Sequence, residues 1–461
     1  MTLAGQAAAL PTLVPMHGLG GAKDLPIPLP LAVAGATAAL VVSFCVLTLA
    51  WRTPRYQEPG PGRPAPAALA GVVDGPRFAW TLRILGLAFF AYLGWALIWG
   101  PDLVNNPALG TFYVLVWVGL VPASLLFGPV VRAFSPVRTL NLLLARVTGG
   151  DPGVGLGTYP ARLGYWPAAA GIFAFVWQEL VNPQSAYLGS MRLWLAAYLA
   201  IMLIGAAVFG DVWFERADPF EVYSNLLSKL STWGRSSDGD NRLVIRSPLA
   251  NLATVTPRPG LVAVVAVLFG STAFDSYKDT ITWQQFVQDL GLNPVFTNSV
   301  ALLGFSLVVG VTFTAAAMST GLERTGPSSG PCGVRRSGLP NLLAHSMIPI
   351  IVGYMTAHYL SYLIERGQIT MMQLSDPMVR GDNLLGTANW SVNYWLSFHP
   401  SLLATIKVLA VVTGHIVGVI AAHDRAIKLL PARHRVSGQV GMLLVMVGYT
   451  ATGLYLLMGG V

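Results

Sequence analysis

The sequence predicts an all-α integral membrane protein, a polytopic helical bundle of about ten transmembrane helices with both termini outside. Three observations predict it: a composition short of charge, a series of long apolar runs, and basic residues confined to alternate loops. Of the 461 residues, 54% are hydrophobic and only 10% are charged. A soluble domain carries roughly 25% charged residues, so this chain has too few to cover a water-facing surface.

A helix needs about 20 apolar residues to cross a hydrocarbon core of roughly 30 Å. Continuous runs of that order occur near 30–51, 80–100, 108–131, 163–181, 191–210, 260–279, 298–320, 341–364, 400–422 and 438–459. They do not alternate apolar with polar residues, which argues for helices and against barrel strands. Pro122 and Pro349 fall inside runs, where membrane helices tolerate proline better than soluble ones do.

The loops give the orientation. The 52–79 loop holds Arg52, Arg55, Arg63 and Arg77, and the 132–162 loop holds Arg132, Arg138, Arg146 and Arg162. The 211–259 segment holds Arg216, Lys229, Arg235, Arg242, Arg246 and Arg258. Arg324, Arg335 and Arg336 lie in 321–340, and Arg425, Lys428, Arg433 and Arg435 in 423–437. These 21 residues are three quarters of the 28 Lys and Arg in the chain, and all fall on one side of a ten-span topology. Basic loops face the cytoplasm. The net charge of +8 is therefore a membrane-orientation signature, and no nucleic-acid partner is expected.

The organisation that follows is an outside tail over 1–29 and a single transmembrane domain over 30–461. Residues 57–71 and 326–338 read as Pro/Gly and Gly/Ser linkers. Within the inside segment near 211–259, FEVYSNLLSKLSTW reads as an amphipathic helix with Phe220, Tyr223, Leu226, Leu227 and Leu230 on one side, suited to the membrane interface. Cys45 and Cys332 should lie at different depths, so no disulfide is expected. The expected partners are the lipid bilayer of a bacterial plasma membrane, crossed in multiple passes, a small ion or small-molecule substrate, and a membrane protein complex.

Ionisable side chains inside spans are costly and mark function. Glu179, Asp275, His358, Lys407 and the boundary residue His399 fall in one outer layer of the bilayer. Lys407 lies roughly 10 Å below the outer end of its span, at about 1.5 Å per residue. A buried ammonium needs a counter-ion, and Asp275 and Glu179 match it in depth. His358, Tyr362 and Glu365 share one helix face, as do Asp275, Lys278 and Asp279, which could also pair locally at the helix end. The expectation is one buried cluster of Asp275, Glu179, Lys407 and His358.

His345, His415 and His423 occupy the inner half and could continue a path inward. His345 and His358 are about 20 Å apart along one helix, too far to share a metal. On the outside, His17, His358, His399, Met371 and Met372 could contribute to a copper or zinc site, since imidazole and thioether suit these metals. No Walker loop, dinucleotide fingerprint or nucleophile elbow is present.

Several blocks carry a resemblance. MHGLGGAKDLPIP, DPFEVYSNLLSKL at 218–230, LVIRSPLANLA at 243–253, VLFGSTAFDS at 267–276, AHYLSYLIERGQ at 357–368, SDPMVRGDNLLGTANW at 375–390 and GHIVGVIAAHDRAIKLLP at 414–431 resemble an actinobacterial family of polytopic membrane proteins commonly labelled fenitrothion hydrolase. The label implies hydrolysis of organophosphate triesters. In relatives the His of the HG motif follows a cleaved signal and becomes the mature N-terminus, a copper-chelating arrangement; here Met16 precedes His17.

Three function classes follow. The first is a protein that binds or moves an ion or metal, copper favoured. The second is a membrane-embedded metal-dependent hydrolase of organophosphate triesters, with Asp275, His358 and His399 as the candidates to hold a metal-activated water or act as base. The third is an accessory subunit of a respiratory or envelope complex.

Overall fold

The computed structural model describes residues 21–56, 62–236, 240–320, 334–431 and 434–459. His17, Cys332, Arg324 and Arg433 lie outside the described residues, as do parts of both linkers. The longer helices, in chain order, are α1 (Leu29–Ala50), α2 (Pro76–Trp99), α3 (Pro107–Val118), α4 (Leu120–Phe127), α5 (Pro136–Thr148), α6 (Trp166–Leu180), α7 (Leu188–Phe209), α8 (Pro219–Leu227), α9 (Leu261–Lys278), α10 (Ile281–Asp289), α11 (Pro294–Met318), α12 (Met347–Gln373), α13 (Pro400–Leu429) and α14 (Val440–Leu457).

Among the described residues, eight helices are long and apolar enough to cross a membrane, or nine if α3 and α4 count as one bent span. The chain is thus an all-α polytopic membrane bundle. The remaining apolar run of the sequence, near 163–181, forms α6, which has only 15 residues. At about 1.5 Å per residue it falls short of a roughly 30 Å core. The α3/α4 bend of 44° has a local cause. Thr111–Val118 is a π-helix, in which Gly119 donates its backbone N–H to Val114 O at 2.9 Å. Such turns break helices and cluster at functional sites.

Outward-facing apolar side chains such as Val42 and Leu49 on α1, Leu193 and Ile204 on α7, and Leu307 and Val311 on α11 are exposed, as contact with lipid requires. In α9 and α12, by contrast, 67% of the spanning window is buried inside the protein. These two helices form the centre of the bundle. Close approach is allowed by glycine. A Cβ on Gly414 of α13 would lie 2.5 Å from Pro349 O of α12, and one on Gly270 of α9 would lie 2.6 Å from Ser306 Cα of α11. Small residues at such crossings let helices associate where no hydrophobic force exists between them.

The basic loops gather at one end. The strands β1 (Arg63–Pro64), β2 (Trp233–Arg235) and β3 (Leu243–Ile245) form a small antiparallel sheet in the order β1-β3-β2, pairing Arg63 with Ile245 and Gly234 with Val244. It ties the 52–79 loop to the 211–259 segment. Asp424 accepts hydrogen bonds from Trp51 Nε1 at 3.0 Å, Arg55 N at 2.6 Å and Tyr56 N at 3.1 Å. Arg425 donates to Ala253 O at 2.7 Å. At the opposite end Ala22 N donates to Met458 O at 2.9 Å, so the first and last described segments lie together. Cys45, on α1, is exposed.

The FEVYSNLL helix departs from its expected interfacial place. In α8, Pro219, Phe220, Glu221, Val222, Tyr223, Ser224, Leu226 and Leu227 are all buried. The helix is plugged into the bundle against α4 and α6. Its carboxylate is what permits this. Glu221, fully buried, receives Arg138 Nε at 2.6 Å and Nη2 at 2.8 Å, and Asp211 stands 3.4 Å from the same guanidinium. Aromatic packing completes the plug, with Trp117 4.9 Å from Tyr223 and Phe175 5.2 Å from Phe220 between ring centroids.

Two stability outcomes are expected from thermal unfolding in detergent. Gly414→Ala should cost about 1–3 kcal/mol, the usual penalty of overpacking, while Gly448→Ala should be neutral because nothing lies within 4 Å of the added carbon. Arg138→Met should cost about 3–5 kcal/mol by leaving Glu221 bare, and the double variant Arg138→Met/Glu221→Met should recover most of that loss.

Candidate functional site

The last turn of α9 carries the acid of the site. Asp275 and Lys278 stack one turn apart, and α9 ends directly after them, where Thr280 caps α10 by accepting from Trp283 N at 3.2 Å. Asp275 points into the bundle and is buried beside α12. His358 Nε2 lies 2.9 Å from Asp275 Oδ2, and Tyr359 OH donates to the same oxygen at 2.7 Å. Lys278 Nζ stands 3.7 Å from Asp275 Oδ1 and 3.2 Å from Asp279 Oδ1. On its far side His358 Nδ1 is 3.1 Å from Ser276 Oγ, which in turn lies 3.0 Å from Tyr354 OH.

Glu179, in the last turn of α6, joins this group. Its charge acts on Asp275 and Lys278 and on Tyr113, Tyr223, Tyr359 and Tyr362 around it. Its Oε2 is enclosed and has no hydrogen-bond partner. The site is therefore two carboxylates, one imidazole, one ammonium and a rim of phenols, with Asp275, His358 and Tyr359 buried and Lys278 partly exposed at its edge. Glu365, on the same face of α12 as His358, is buried too. It accepts from Ser397 Oγ, and its Oε2 is enclosed without a partner.

The expected cluster is thus three quarters assembled. Lys407 is the member that does not join it. It is buried on α13, and the acid whose charge reaches it is Asp24, in the turn Ala22–Asp24 packed on that helix. The cation beside Asp275 is Lys278 instead, because it rises from the same helix three residues on. His399 also stands apart. It is exposed, its ring centroid 4.4 Å from that of Trp395 and its Nδ1 2.7 Å from Trp395 O. Met371 and Met372 lie at the end of α12, Met371 exposed. Among the described residues no group of three or more His, Cys, Asp or Glu is arranged to hold a metal ion.

Two of the inner histidines bond within their own segments, and the third bridges to neighbouring ones. His345 Nδ1 lies 3.1 Å from Leu342 O, and His415 Nδ1 lies 2.9 Å from Val411 O. His423 sits between Gln439 Oε1 at 3.0 Å and Trp51 O at 3.1 Å. None of them hydrogen-bonds another, so they form no continuous relay among the described residues.

Buried polar groups also line α8, between the Glu179 region and the basic end. The Tyr223 ring, within reach of Glu179, sets its hydroxyl 3.2 Å from Met355 Sδ. Ser224 Oγ is 2.9 Å from Ser124 Oγ of α4. One turn earlier stands Glu221 with Arg138, and then Asp218, which accepts from Tyr198 OH at 3.0 Å and caps α8 through Phe220 N at 2.9 Å. Asp218, Glu221, Tyr223, Ser224 and Ser124 are all fully buried. Burial and the neighbouring Glu221 push the Asp218 carboxyl up to about 7. These polar groups reach solvent at Asp211, which is 46% exposed.

The sequence held a signal for these groups. Asp218, Glu221 and Ser224 recur every three residues, a polar stripe on one helical face. Tyr359 and Ser276 had no such signal, since tyrosine and serine are common in helices of every kind. Comparison with protein-family models, with curated proteins and with solved structures finds no match to this chain, and the geometry of the site carries the functional argument alone.

Proposed function

We propose that this chain binds a proton or small cation at the Glu179–Asp275–His358 cluster and moves it across the membrane. The observation that carries this reading is the enclosed Oε2 of Glu179, left without a partner in the same electrostatic neighbourhood as the buried Asp275–His358 pair. Two neighbouring carboxylates in a low-dielectric interior cannot both hold charge cheaply. A shared proton or a bound cation relieves the repulsion and fills the unused acceptor. The donor set of carboxylates, phenols and a single imidazole suits a proton or a hard cation better than copper, which favours thiolate, thioether and several imidazoles.

The polar groups along α8 supply the route. The ion arrives beside Lys278 and Asp279, rests between Asp275 and Glu179, and passes Tyr223 and the Ser224–Ser124 pair. It leaves by Asp218, Glu221 and Asp211. Asp218, held near 7 by burial and by Glu221, exchanges a proton in the physiological range, as a relay group must. Ionisable groups at such depth in a membrane are kept for ion pathways of this kind.

One observation favours a second reading, the hydrolase implied by the resemblance. Ser276 Oγ, His358 and Asp275 stand in sequence at 3.1 Å and 2.9 Å, the spacing of a nucleophile, base and orienting acid. It ranks second because Ser276 Oγ also lies 3.0 Å from Thr272 O, where it donates its proton to its own helix.

In proteoliposomes with a trapped pH-sensitive dye, an imposed potential should drive proton or cation flux through the native protein. Glu179→Gln and Asp275→Asn should each lower it at least tenfold, and Lys407→Met should not. Flux that is absent from the native protein, or unchanged in both carboxylate variants, would sink the reading. Flux in the native protein should rise with inner pH through about 7 as Asp218 ionises, and Asp218→Asn should flatten that profile. Ser276→Ala separates the two readings, since it should abolish any phosphotriester hydrolysis and leave flux in place.

A further inference from the structure

At the basic end a second polar feature stands apart from the ion route. A cavity of about 290 Å³ opens among the end of α4, the segment Val212–Ala217, the end of α8 and the stretch 254–258. Four cations line it, Arg132, Arg216, Lys229 and Arg258, against one carboxylate, Glu215. That carboxylate is already engaged, with Glu215 Oε1 3.1 Å from Arg132 Nη1.

Among the described residues, the other three cations have no acid within ion-pair distance. Lys229 Nζ donates to Thr254 Oγ1 at 2.8 Å, and its neighbouring charge is a like one, Arg246. Burial and that neighbour hold the Lys229 ammonium below its ordinary value. Arg216 rests over the Tyr159 ring at 5.3 Å, and its Nε is enclosed without a partner. The charge of Arg258 reaches Tyr165, which also lines the cavity.

Basic loops are expected on this side of a membrane protein, but such residues ordinarily project into water. Here they converge on one concave space, where mutual repulsion destabilises the free state and an anion would offset it. Guanidinium forks together with an ammonium and a hydroxyl are the donor set that recognises phosphate oxygens.

We propose that this cavity is a binding site for a phosphate group, carried by a small soluble phosphate or by an anionic lipid headgroup. Arg216 and Arg258 grip the phosphate oxygens, Lys229 and Thr254 close the base of the site, and Glu215 limits the affinity. The site lies beside α8, whose inner end it shares, so its occupancy stabilises the helix that plugs the bundle.

The test uses the full chain in neutral detergent, with thermal stability and intrinsic tryptophan fluorescence as readouts. Inorganic phosphate, glycerol phosphate, and mixed micelles of phosphatidylglycerol or phosphatidylcholine are titrated separately. Saturable stabilisation by the soluble phosphates supports the proposal with a free ligand. Saturation by phosphatidylglycerol alone supports it with a lipid headgroup. Saturation by neither, or equal effects of phosphatidylcholine, overturns it. Lys229→Met and Arg258→Gln should each weaken binding about tenfold. Glu215→Gln, at a partly exposed residue that the fold does not need buried, should tighten it several-fold. Unchanged affinity in Glu215→Gln together with unchanged affinity in Arg258→Gln overturns the proposal even if the Lys229 variant does not fold.

Discussion

Asp275 stands at the crossing of α9 and α12, the two most enclosed spans of the bundle, and the requirement that its charge be met from within the protein sets the arrangement around it. Hydrocarbon offers no donor, so what stabilises the buried Asp275 carboxylate has to come from side chains of the protein. His358 and Tyr359 come from one turn of α12 and Lys278 from the next turn of α9. These contacts fix the rotation of both helices about their axes. A bundle of apolar faces alone would allow many rotations at similar free energy, because lipid is as apolar as leucine.

The same constraint explains α8. A nine-residue helix with an acid in its first turn is an unpromising core element. Arg138, brought in from α5, makes a two-pronged contact with Glu221, and Asp218 caps the helix start. With those charges met, the apolar and aromatic side chains of α8 can fill the space left by the short α6 and the bent α3/α4 pair. The places where the spans are irregular are therefore the places where polar groups reach the interior. The π-turn that holds Tyr113, the 15-residue α6 with Glu179 in its last turn, and the α8 plug all border the same region. An ion site in a membrane protein needs such irregularity, since backbone and side-chain dipoles must turn inward to replace water.

The two polar regions have opposite character. The cluster at Asp275 sets two carboxylates beside a single ammonium and one imidazole, with Asp275 and His358 buried. The cavity at the other end has more base than acid among its lining residues and lies at the end where the basic loops gather. The α8 helix separates them, presenting Tyr223 and Ser224 toward one and its final turn toward the other. This places the single buried inside helix in contact with both.

Much of the architecture was legible in the sequence by itself. Scarcity of charge, apolar runs of span length and basic residues in every second loop determined an all-α polytopic bundle, and the contacts among loops 52–79, 211–259 and 423–437 gather them at one end. These are properties of stretches, and stretches meet lipid or water locally. The depth argument likewise brought Glu179, Asp275 and His358 together, because depth is counted along each helix. It placed Lys407 with them in error, because depth does not give the rotation of one helix about another, and Lys407 faces the Asp24 turn. The length of α6, the burial of α8 and the pairing of Glu221 with Arg138 were decided by tertiary structure alone. Each depends on a partner more than 30 residues distant, and a single sequence without structure does not record which side chain will supply the missing charge.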